Sequence, residues 1–447
     1  MHPSTPSQNT SNPALLRLGI VLFFSLLLLT PSVFADNTSD LDYPLDPQYD
    51  LPLDELRSFA EVYERIKQAY VHEVDDRELL ESAIKGMLSG LDPHSAYLAP
   101  EAFKDLREST QGEFGGLGIE IGIEEGYIKV ISPIDDTPAS RAGLQPHDLI
   151  IRINDTPTRE MSVDKAMEIM RGEPGTKIEL TIQREEVNQP FKVTLERGLI
   201  RITSVKEKML ETGFGYLRIS QFQNRSGNEV QKALNRLVKE NQAPLEGLIL
   251  DLRNNPGGVL QAAADVVDVF LDKGLIVYTR GRLPDTQMRF EANPGDSLDG
   301  APLVVLINGG SASASEIVAG ALQDHQRALI MGTASFGKGS VQTILPLNND
   351  RAIKMTTALY YTPNGRSIQA EGIQPDIEVV NARITLLETN QTTKEADLDG
   401  HLNNESKGLK GKKAAASLNT AEDYPLNEAL NLLRGLVIFK SRHLPVN

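Results

Sequence analysis

Hydrophobic residues recur at two different spacings in the first half of the chain, and the change of spacing divides it into regions. Between residues 52 and 90 they return every three or four positions, which predicts two amphipathic helices. From residue 113 to residue 197 short runs alternate with polar residues, as in Ile-Glu-Ile-Gly-Ile at 119–123, which predicts a small, mostly β domain. Turn residues at 91–95 separate the two regions.

The second half of the chain alternates apolar strands with helical stretches. Strands are predicted at residues 216–219, 247–252, 303–307 and 328–331, and helices at 228–240, 261–271 and 313–324. This alternation is typical of an α/β core. Residues 390–420 are polar and lack periodicity, which predicts a flexible linker, and a last amphipathic helix follows it.

Composition narrows the function classes. The formal net charge of −16 repels phosphate backbones, so we expect no nucleic acid partner. The chain has no cysteine, which excludes disulfides, thiolate metal sites and a cysteine nucleophile. None of the 7 histidines is paired at a metal-ligand spacing, so we expect neither a metal nor another cofactor.

The first 35 residues differ from the rest of the chain. They hold no acidic residue, one basic residue (Arg17) and an apolar run at 18–29. This run of about 12 residues is shorter than the roughly 20 that a membrane-spanning helix needs. Small residues at Val33 and Ala35 fit a signal peptidase site, so we predict cleavage after Ala35 and a periplasmic or otherwise exported protein. The alternative is an uncleaved membrane anchor.

A cluster of small residues and serines lies between a predicted strand and a predicted helix. It reads Gly-Gly-Ser-Ala-Ser-Ala-Ser-Glu at residues 309–316. Small residues let a substrate backbone approach, and the free N–H groups of a helix start stabilise an oxyanion, so the place suits a nucleophile. The alternative is structural, with Ser313 as a helix N-cap and Glu316 completing a capping box.

A serine nucleophile needs a base, and no histidine lies in a recognisable triad setting. Lys338 is the candidate, in Ser-Phe-Gly-Lys-Gly-Ser-Val-Gln at residues 335–342. A lysine has a pKa of about 10.4 and becomes a base at neutral pH only when burial lowers it. A solvated turn lysine is the alternative. A P-loop is disfavoured, because Gly339 replaces the Ser or Thr that binds magnesium and a strand is predicted to follow.

The serine and lysine motifs together resemble the signature pair of the carboxyl-terminal processing (tail-specific) serine proteases. The resemblance implies that Ser313 is the nucleophile, that Lys338 is the general base and that Gln342 orients the lysine. Asp324 occupies a place sometimes assigned to a charge relay. We interpret Asp324 as structural, since a Ser-Lys pair needs no third acid.

The resemblance extends to Asp-Leu-Arg-Asn-Asn-Pro-Gly-Gly at residues 251–258. In the family this turn supplies one N–H of the oxyanion hole, and the residue after the nucleophile supplies the other. The resemblance therefore implies an oxyanion hole formed by Gly258 and Ala314, with Gly257 as the alternative to Gly258.

Another glycine-rich segment, at residues 115–119, looks like the carboxylate-binding loop of PDZ domains. In such domains successive N–H groups hold a chain-terminal carboxylate while the peptide adds as a strand to the sheet. The residues that the resemblance implies for tail binding are Gly116, Leu117, Gly118 and Ile119. A helix, a turn and a strand are predicted to follow in the PDZ order. His147 departs from the family, which usually has glycine there.

The resemblance implies an α/β protease core (α+β) with an inserted, mostly β PDZ domain and helical N- and C-terminal segments. The predicted boundaries are a signal peptide at 1–35, a helical segment at 36–104, a PDZ domain at 105–198, a protease core at 199–382, a flexible linker at 383–420 and a C-terminal helix at 421–447.

The function implied is that of an exported serine endopeptidase that recognises and cleaves proteins through flexible, apolar C-terminal tails. An adaptor lipoprotein is a further partner that the resemblance implies. The apolar stripes of the N- and C-terminal helices, which no internal core obviously needs, predict a homo-oligomer. The competing hypothesis is a non-catalytic PDZ adaptor with a degenerate protease core, against which the intact Ser313, Lys338 and Gln342 argue.

Overall fold

A computed structural model describes residues 51–134, 136–185, 187–382 and 423–443. The predicted signal peptide and linker lie outside these residues. The chain divides into two units, Met1–Val74 and Asp75–Asn447. In the described ranges, no helix combines the length and the hydrophobicity that a bilayer crossing requires.

The described part of the first unit is built around helix α1, Leu53–Ala69. Acidic residues in its first turn and Lys67 in its last turn match the helix dipole. No residue of α1 is buried, and Leu56, Phe59 and Val62 are exposed on it. The predicted helix is therefore present.

The second unit contains eight α-helices among its described residues. They are α2 Asp76–Ser89, α3 Pro100–Gln111, α4 Pro138–Arg141, α5 Val163–Met170, α6 Ser226–Asn241, α7 Leu260–Asp268, α8 Ala314–Asp324 and α9 Tyr424–His443. The helices predicted in the first region and in the core correspond to α1, α2, α6, α7, α8 and α9. The sequence analysis did not predict α3 or α5.

The strands of the PDZ region are β2 Glu113–Gly116, β3 Ile119–Glu124, β4 Tyr127–Pro133, β5 Leu149–Ile153, β6 Thr156–Pro157, β7 Lys177–Gln183, β8 Phe191–Glu196 and β9 Gly198–Arg201. The remaining strands are β1 Ala96–Leu98, β10 Val205–Glu211, β11 Phe214–Ile219, β12 Gly247–Asp251, β13 Gly274–Gly281, β14 Arg289–Ala292, β15 Leu303–Ile307, β16 Leu329–Gly332, β17 Ser340–Leu347, β18 Arg351–Tyr361 and β19 Ile377–Glu378.

The core is a six-stranded sheet in the order β10-β11-β12-β15-β16-β19. Only β10 is antiparallel to its neighbour, and β12 and β15 are buried along their whole length, as expected of parallel strands covered on both faces. Helices α6, α7 and α8 pack on one face of this sheet. The predicted α/β core is confirmed.

Helix α9 covers the other face of the core sheet. Its Leu426, Ala429 and Leu433 are buried against Ile249 and Val304. The apolar stripe of this helix therefore belongs to an internal core, contrary to the premise on which an oligomer contact through α9 was expected.

A second, antiparallel sheet carries the strands that follow Lys338. Its order is β1-β18-β13-β14, and β17 pairs with the long strand β18. The predicted strand after Lys338 is present and runs from Ser340 through Pro346 to Leu347. Since a strand follows Lys338, the geometry differs from a P-loop, in which a helix begins there.

The PDZ region forms a five-stranded path β3-β4-β5-β7-β8, with β6 on β5 and a separate ribbon of β2 and β9. Ile128, Ile150 and Leu180 are buried in its core. The predicted order of helix, turn and strand is realised by α4 and β5. His147, in that turn, has a φ of 73°. Glycine adopts this left-handed conformation without strain, which explains the family's usual glycine there.

Candidate active site

Ser313 lies at a sharp turn between strand β15 and helix α8. Its backbone has φ 56° and ψ −113°, a combination that costs a residue with a side chain about 1–3 kcal/mol. Gly257 lies against it, since a Cβ built on Gly257 would be 2.8 Å from the Ser313 Cβ. The turn holds the partly exposed serine side chain close to the glycine turn that follows β12.

The structural alternative for Ser313, a helix N-cap with a capping box, is realised. The Ser313 N–H donates to Glu316 Oε2 at 2.7 Å, as in a capping box. The reciprocal half of the capping box, in which the Ser313 side chain accepts the Glu316 backbone N–H, is present as well. Ser313 is thus the N-cap of α8, and a role as nucleophile would be additional to this structural role.

Glu316 connects the serine and lysine motifs. Its side chain is fully buried, and its Oε2 also accepts the Lys338 N–H at 2.9 Å. Oε1 accepts the Ser335 hydroxyl and the Gly337 N–H, both at 2.6 Å. Burial raises the pKa of Glu316, and these hydrogen bonds lower it only in part. One carboxylate therefore holds the backbones of Ser313 and Lys338.

Tyr360, on β18, is a second connection between the two motifs. Its hydroxyl donates to the Lys338 carbonyl oxygen. Burial raises the pKa of Tyr360 and the charge of Glu316 adds to this, while a hydrogen bond with the Ser313 hydroxyl lowers it. The phenol therefore stays protonated between the two segments.

The Lys338 side chain is partly buried. Burial lowers the pKa of Lys338 and the charge of Lys354 lowers it further, whereas Asp92 and Glu316 raise it. The net direction is downward, as a general base requires. In the described part of the chain, no hydrogen bond joins the Lys338 ammonium to the Ser313 hydroxyl. Catalytic hydrogen bonds often form only once substrate binds.

Gln342 lies two residues into β17. Its amide donates to Ser340 Oγ at 2.9 Å and to Thr356 Oγ1 at 3.3 Å. It makes no hydrogen bond to Lys338 within the described ranges. The structure therefore places Gln342 near the lysine segment without the contact that an orienting role requires.

The two N–H groups expected to form an oxyanion hole are unoccupied by protein acceptors. Neither the Gly258 N–H nor the Ala314 N–H donates to an acceptor among the described residues, whereas the Gly257 N–H donates to Asn255 Oδ1 at 2.9 Å. Gly258 has a φ of 143°, and a Cβ there would lie 2.0 Å from the Phe222 carbonyl oxygen. The geometry thus favours Gly258 over Gly257.

Asp324 lies at the far end of α8 from Ser313, about 16 Å along an 11-residue helix. Its carboxylate accepts the Asn364 N–H at 2.9 Å and forms an ion pair with Arg366. These contacts fit the structural interpretation. In the parts of the chain that the structure covers, no three acidic or histidine side chains are arranged to bind a metal.

The predicted tail-binding loop connects β2 to β3. Among described residues, the N–H groups of Leu117 and Gly118 donate to no acceptor, while the Leu117 carbonyl accepts the Ala139 N–H at 3.0 Å. Gly116 and Ile119 line the same small cavity, of about 60 Å³. This cavity is also lined by Met167, Met170 and Arg171. The unpaired N–H groups of Leu117 and Gly118 therefore lie beside a small, mostly apolar cavity.

Two residues of the core site were not assigned a role there from sequence. Glu316 was visible only as a capping-box partner, because its contacts with the lysine segment depend on the fold. Tyr360 had no signal of its own, since its phenol reaches Lys338 only through the pairing of β17 and β18.

Three family models match the chain. The model of peptidase family S41 matches residues 213–379, and the PDZ domain model matches residues 106–183. The model described as the activating protease CtpB N-terminal domain matches residues 34–102. The S41 match contains the serine and lysine motifs, and the PDZ match contains the loop at 115–119.

Curated relatives match nearly the whole chain. A carboxy-terminal-processing protease of Bartonella bacilliformis is 46% identical over 93% of this chain and 94% of its own length. A carboxyl-terminal-processing protease of Synechocystis is 40% identical over 72% of this chain and 76% of its own length. The carboxy-terminal processing protease CtpA of Bacillus subtilis is 31% identical over 90% and 86%.

These matches do not favour a non-catalytic adaptor, because relatives that align over 90% or more of the chain are named as proteases. They agree with the two motifs, with the PDZ loop and with the α/β core. The chain therefore belongs to the carboxyl-terminal processing (tail-specific) serine proteases of peptidase family S41.

Proposed function

We propose that the chain cleaves proteins with a Ser-Lys dyad in which Ser313 is the nucleophile and Lys338 the general base. The observation that carries this proposal is the shared carboxylate, since Glu316 accepts the N–H groups of both residues. A buried acid that fixes two backbone segments keeps the starting points of the two side chains at a constant separation, which catalysis by proximity requires.

In the proposed reaction, neutral Lys338 takes the proton of the Ser313 hydroxyl as Oγ attacks the scissile carbonyl carbon. For this step the Lys338 Nζ moves into hydrogen-bond distance of Ser313 Oγ. The N–H groups of Gly258 and Ala314 bind the oxyanion that forms. The lysine ammonium then protonates the leaving amine, and water activated by Lys338 hydrolyses the acyl-enzyme. Gln342, whose amide now bonds Ser340 and Thr356, orients the lysine side chain once the two come into hydrogen-bond contact.

The dyad is tested by replacing each member. Ser313→Ala and Lys338→Ala are expected to abolish cleavage of casein while the protein stays folded by circular dichroism. Lys338→Arg is expected to fail as well, since a guanidinium stays protonated and accepts no proton. The matched control is Lys192→Arg, at an exposed lysine of the PDZ domain. Near-normal activity of Lys338→Arg would contradict the assignment of the base.

The pH profile gives a second test of Lys338. Because its pKa is lowered, kcat/KM should rise as the lysine loses its proton and then level off at a lower pH than an ordinary lysine would give. A rise that follows the ordinary lysine pKa of about 10.4 would contradict the proposal.

We propose that the PDZ loop captures flexible, apolar C-terminal tails and delivers them to Ser313. The open N–H groups of Leu117 and Gly118 beside an apolar cavity support this proposal. A substrate with a C-terminal amide lacks the carboxylate charge and should be cleaved more slowly than the same substrate with a free C-terminus. Equal rates would contradict carboxylate capture.

Export and assembly are further parts of the proposal. We propose that the signal peptide is removed after Ala35, so that the mature N-terminus is Asp36; an intact Met1 on the envelope form, found by mass spectrometry, would contradict this.

The exposed apolar side chains of α1 support a homo-oligomer formed through the N-terminal helix. An unchanged sedimentation mass after deletion of residues 53–70 would exclude it. Recruitment by an adaptor lipoprotein is tested by affinity capture with Ser313→Ala.

A further inference from the structure

The turn at residues 91–95 is not used by the proposed mechanism, yet its side chains are closely bonded. The Asp92 carboxylate accepts the N–H groups of His94 and Ser95 at 2.8 and 2.9 Å and the Ser95 hydroxyl at 2.6 Å. Strand β1 begins directly after this turn and pairs with β18, where Ala96 is opposite Lys354. The turn is thus fixed at the edge of the sheet that carries the lysine segment.

A chain of hydrogen bonds leads from this turn to Gln342. Thr356, on β18, donates its N–H to Ser95 Oγ and its hydroxyl to Asp92 Oδ1, both at 3.2 Å. The same Thr356 hydroxyl accepts the Gln342 amide at 3.3 Å. Asp92 therefore reaches, through one threonine, the side chain proposed to orient Lys338.

The charges around Lys338 come from three elements besides its own segment. Asp92, from the turn, and Glu316, from α8, are negative, whereas Lys354, from β18, is positive. The pKa of His94 depends on the same charged residues. Burial lowers it, Lys338 and Lys354 lower it further, and Asp92 raises it. His94 therefore stays mainly neutral at pH 7. Asp92 and Lys354 thus act on the pKa of Lys338 with opposite signs.

We propose that Asp92 and Lys354 are positioning residues for the reaction, which rests on the proposed role of Lys338: Asp92 holds Gln342 in place through Thr356, and the two residues place opposite charges beside Lys338. A negative neighbour favours the ammonium form of Lys338, and a positive neighbour favours the neutral amine. The pair thus sets the pH at which the base becomes active. The arrangement resembles other catalytic lysines that are activated by a nearby cation.

The test is the pH profile of kcat/KM on a short peptide, which bypasses tail capture. Asp92→Asn keeps an acceptor oxygen but removes the negative charge, so its acid limb should move to lower pH. Lys354→Met removes the positive charge at similar length, so its acid limb should move to higher pH. We expect shifts of roughly half a pH unit or more, in opposite directions, at low salt.

Thr356→Val separates positioning from charge. It breaks the link to Gln342 with little change in volume, so kcat should fall about tenfold with the acid limb unmoved. Asp272→Asn and Lys192→Met are the controls, at a carboxylate that accepts the Gly295 N–H and at an exposed lysine of the PDZ domain. Both controls should leave the profile unchanged.

Two results would overturn the inference. In the first, the acid limbs of Asp92→Asn and Lys354→Met stay in place or move in the same direction. This would show that both residues serve only the fold. Normal kcat in Thr356→Val would exclude the hydrogen-bonded link. Both results are distinct from failure of the dyad itself, which would appear as activity retained in Lys338→Arg.

Discussion

The core and the PDZ region each present a pair of open backbone N–H groups, and the two pairs are held very differently. The pair at Gly258 and Ala314 is surrounded by buried polar side chains, Asn255 and Glu316, that fix the backbone on both sides. Around Leu117 and Gly118 the contacts are mostly backbone bonds and apolar side chains, beside a shallow cavity. Among the described residues, a buried charged side chain supports only the pair at Gly258 and Ala314.

The difference follows from what each pair is expected to bind. An oxyanion exists only during the reaction, so its donors must already be in place, and their rigidity lowers the barrier directly. A substrate carboxylate is present before and after binding, and its site needs access and release more than rigidity. The comparison predicts that equal disturbances cost far more in the core than in the PDZ loop.

The largest effect is expected from Glu316→Gln. The amide keeps only one acceptor oxygen, so its N–H₂ group faces either the Ser313 and Lys338 N–H groups or the Gly337 N–H, and the donors that it faces are left unpaired in a buried place. We expect kcat/KM to fall about 1000-fold, as for loss of the principal electrostatic support of a site. Glu291→Gln, at an exposed glutamate, is the control. A loss of less than tenfold would show that Glu316 serves the fold alone.

Gly258→Ala should have the next largest effect. The added Cβ would meet the Phe222 carbonyl oxygen at 2.0 Å, so the turn must move and its N–H must leave the oxyanion position. We expect kcat to fall about 100-fold with KM little changed, since only transition-state binding is lost. Gly295→Ala, at a glycine with open space around its Cβ position, is the control. Unchanged kcat would remove Gly258 from the oxyanion hole.

A charge in the PDZ cavity should cost less and should depend on the substrate. Met167 lines this cavity and is 37% exposed, so Met167→Glu places a negative charge where a tail carboxylate is expected. Cleavage of tailed proteins should fall about tenfold, while cleavage of a short peptide stays constant. Met288→Glu, at an equally exposed methionine of the core, is the control. Equal loss on both substrates would argue against tail capture.

The smallest effect is expected at Asp423, the residue before α9, which contacts Arg253 in the turn that follows β12. Arg253 bonds Asp423 through both Nη atoms at 2.8 Å and also binds Asp251. Burial would raise the pKa of Asp423, but Arg253 outweighs it and holds the pKa below its usual value. The stability from this pair is therefore present at neutral pH and is lost as the pH falls through the lowered pKa.

Asp423→Asn should lower the melting temperature at pH 7 by a few degrees, corresponding to about 1 kcal/mol, and should change kcat/KM less than fivefold. The difference in melting temperature between variant and wild type should shrink towards pH 3. A constant difference over this range would show that the pair contributes through packing and not through charge.

Candidate site residues that lie in short contiguous motifs were predicted from the sequence. Those that reach the site only through the pairing of strands were not. Ser313 and Lys338 lie in short motifs whose residue types imply chemistry at once. Thr356 and Tyr360 enter the site only because β18 pairs with β17, where a register shift between Val341 and Gln342 changes which side chains meet. Such a shift follows from local twist and leaves no pattern in the sequence.

The same limit applies to the fold. The α/β core was predicted because apolar strands alternate with helical stretches, and its strands β12 and β15 are buried on both faces. Helix α5 was missed because it is only eight residues long and shows less than three full turns of periodicity. The internal use of α9 was missed because the sequence shows an apolar stripe without showing what it contacts.

The left-handed backbone at Ser313 implies that the residue proposed as nucleophile is held at a cost in stability. Glycine adopts φ 56° and ψ −113° with less strain than a residue with a side chain. Ser313→Gly should therefore unfold at a higher temperature than Ser313→Ala, and neither variant should turn over substrate. A lineage released from selection for proteolysis would gain robustness from this one replacement. Homologues that have become inactive binding proteins should therefore carry glycine at this position more often than chance predicts.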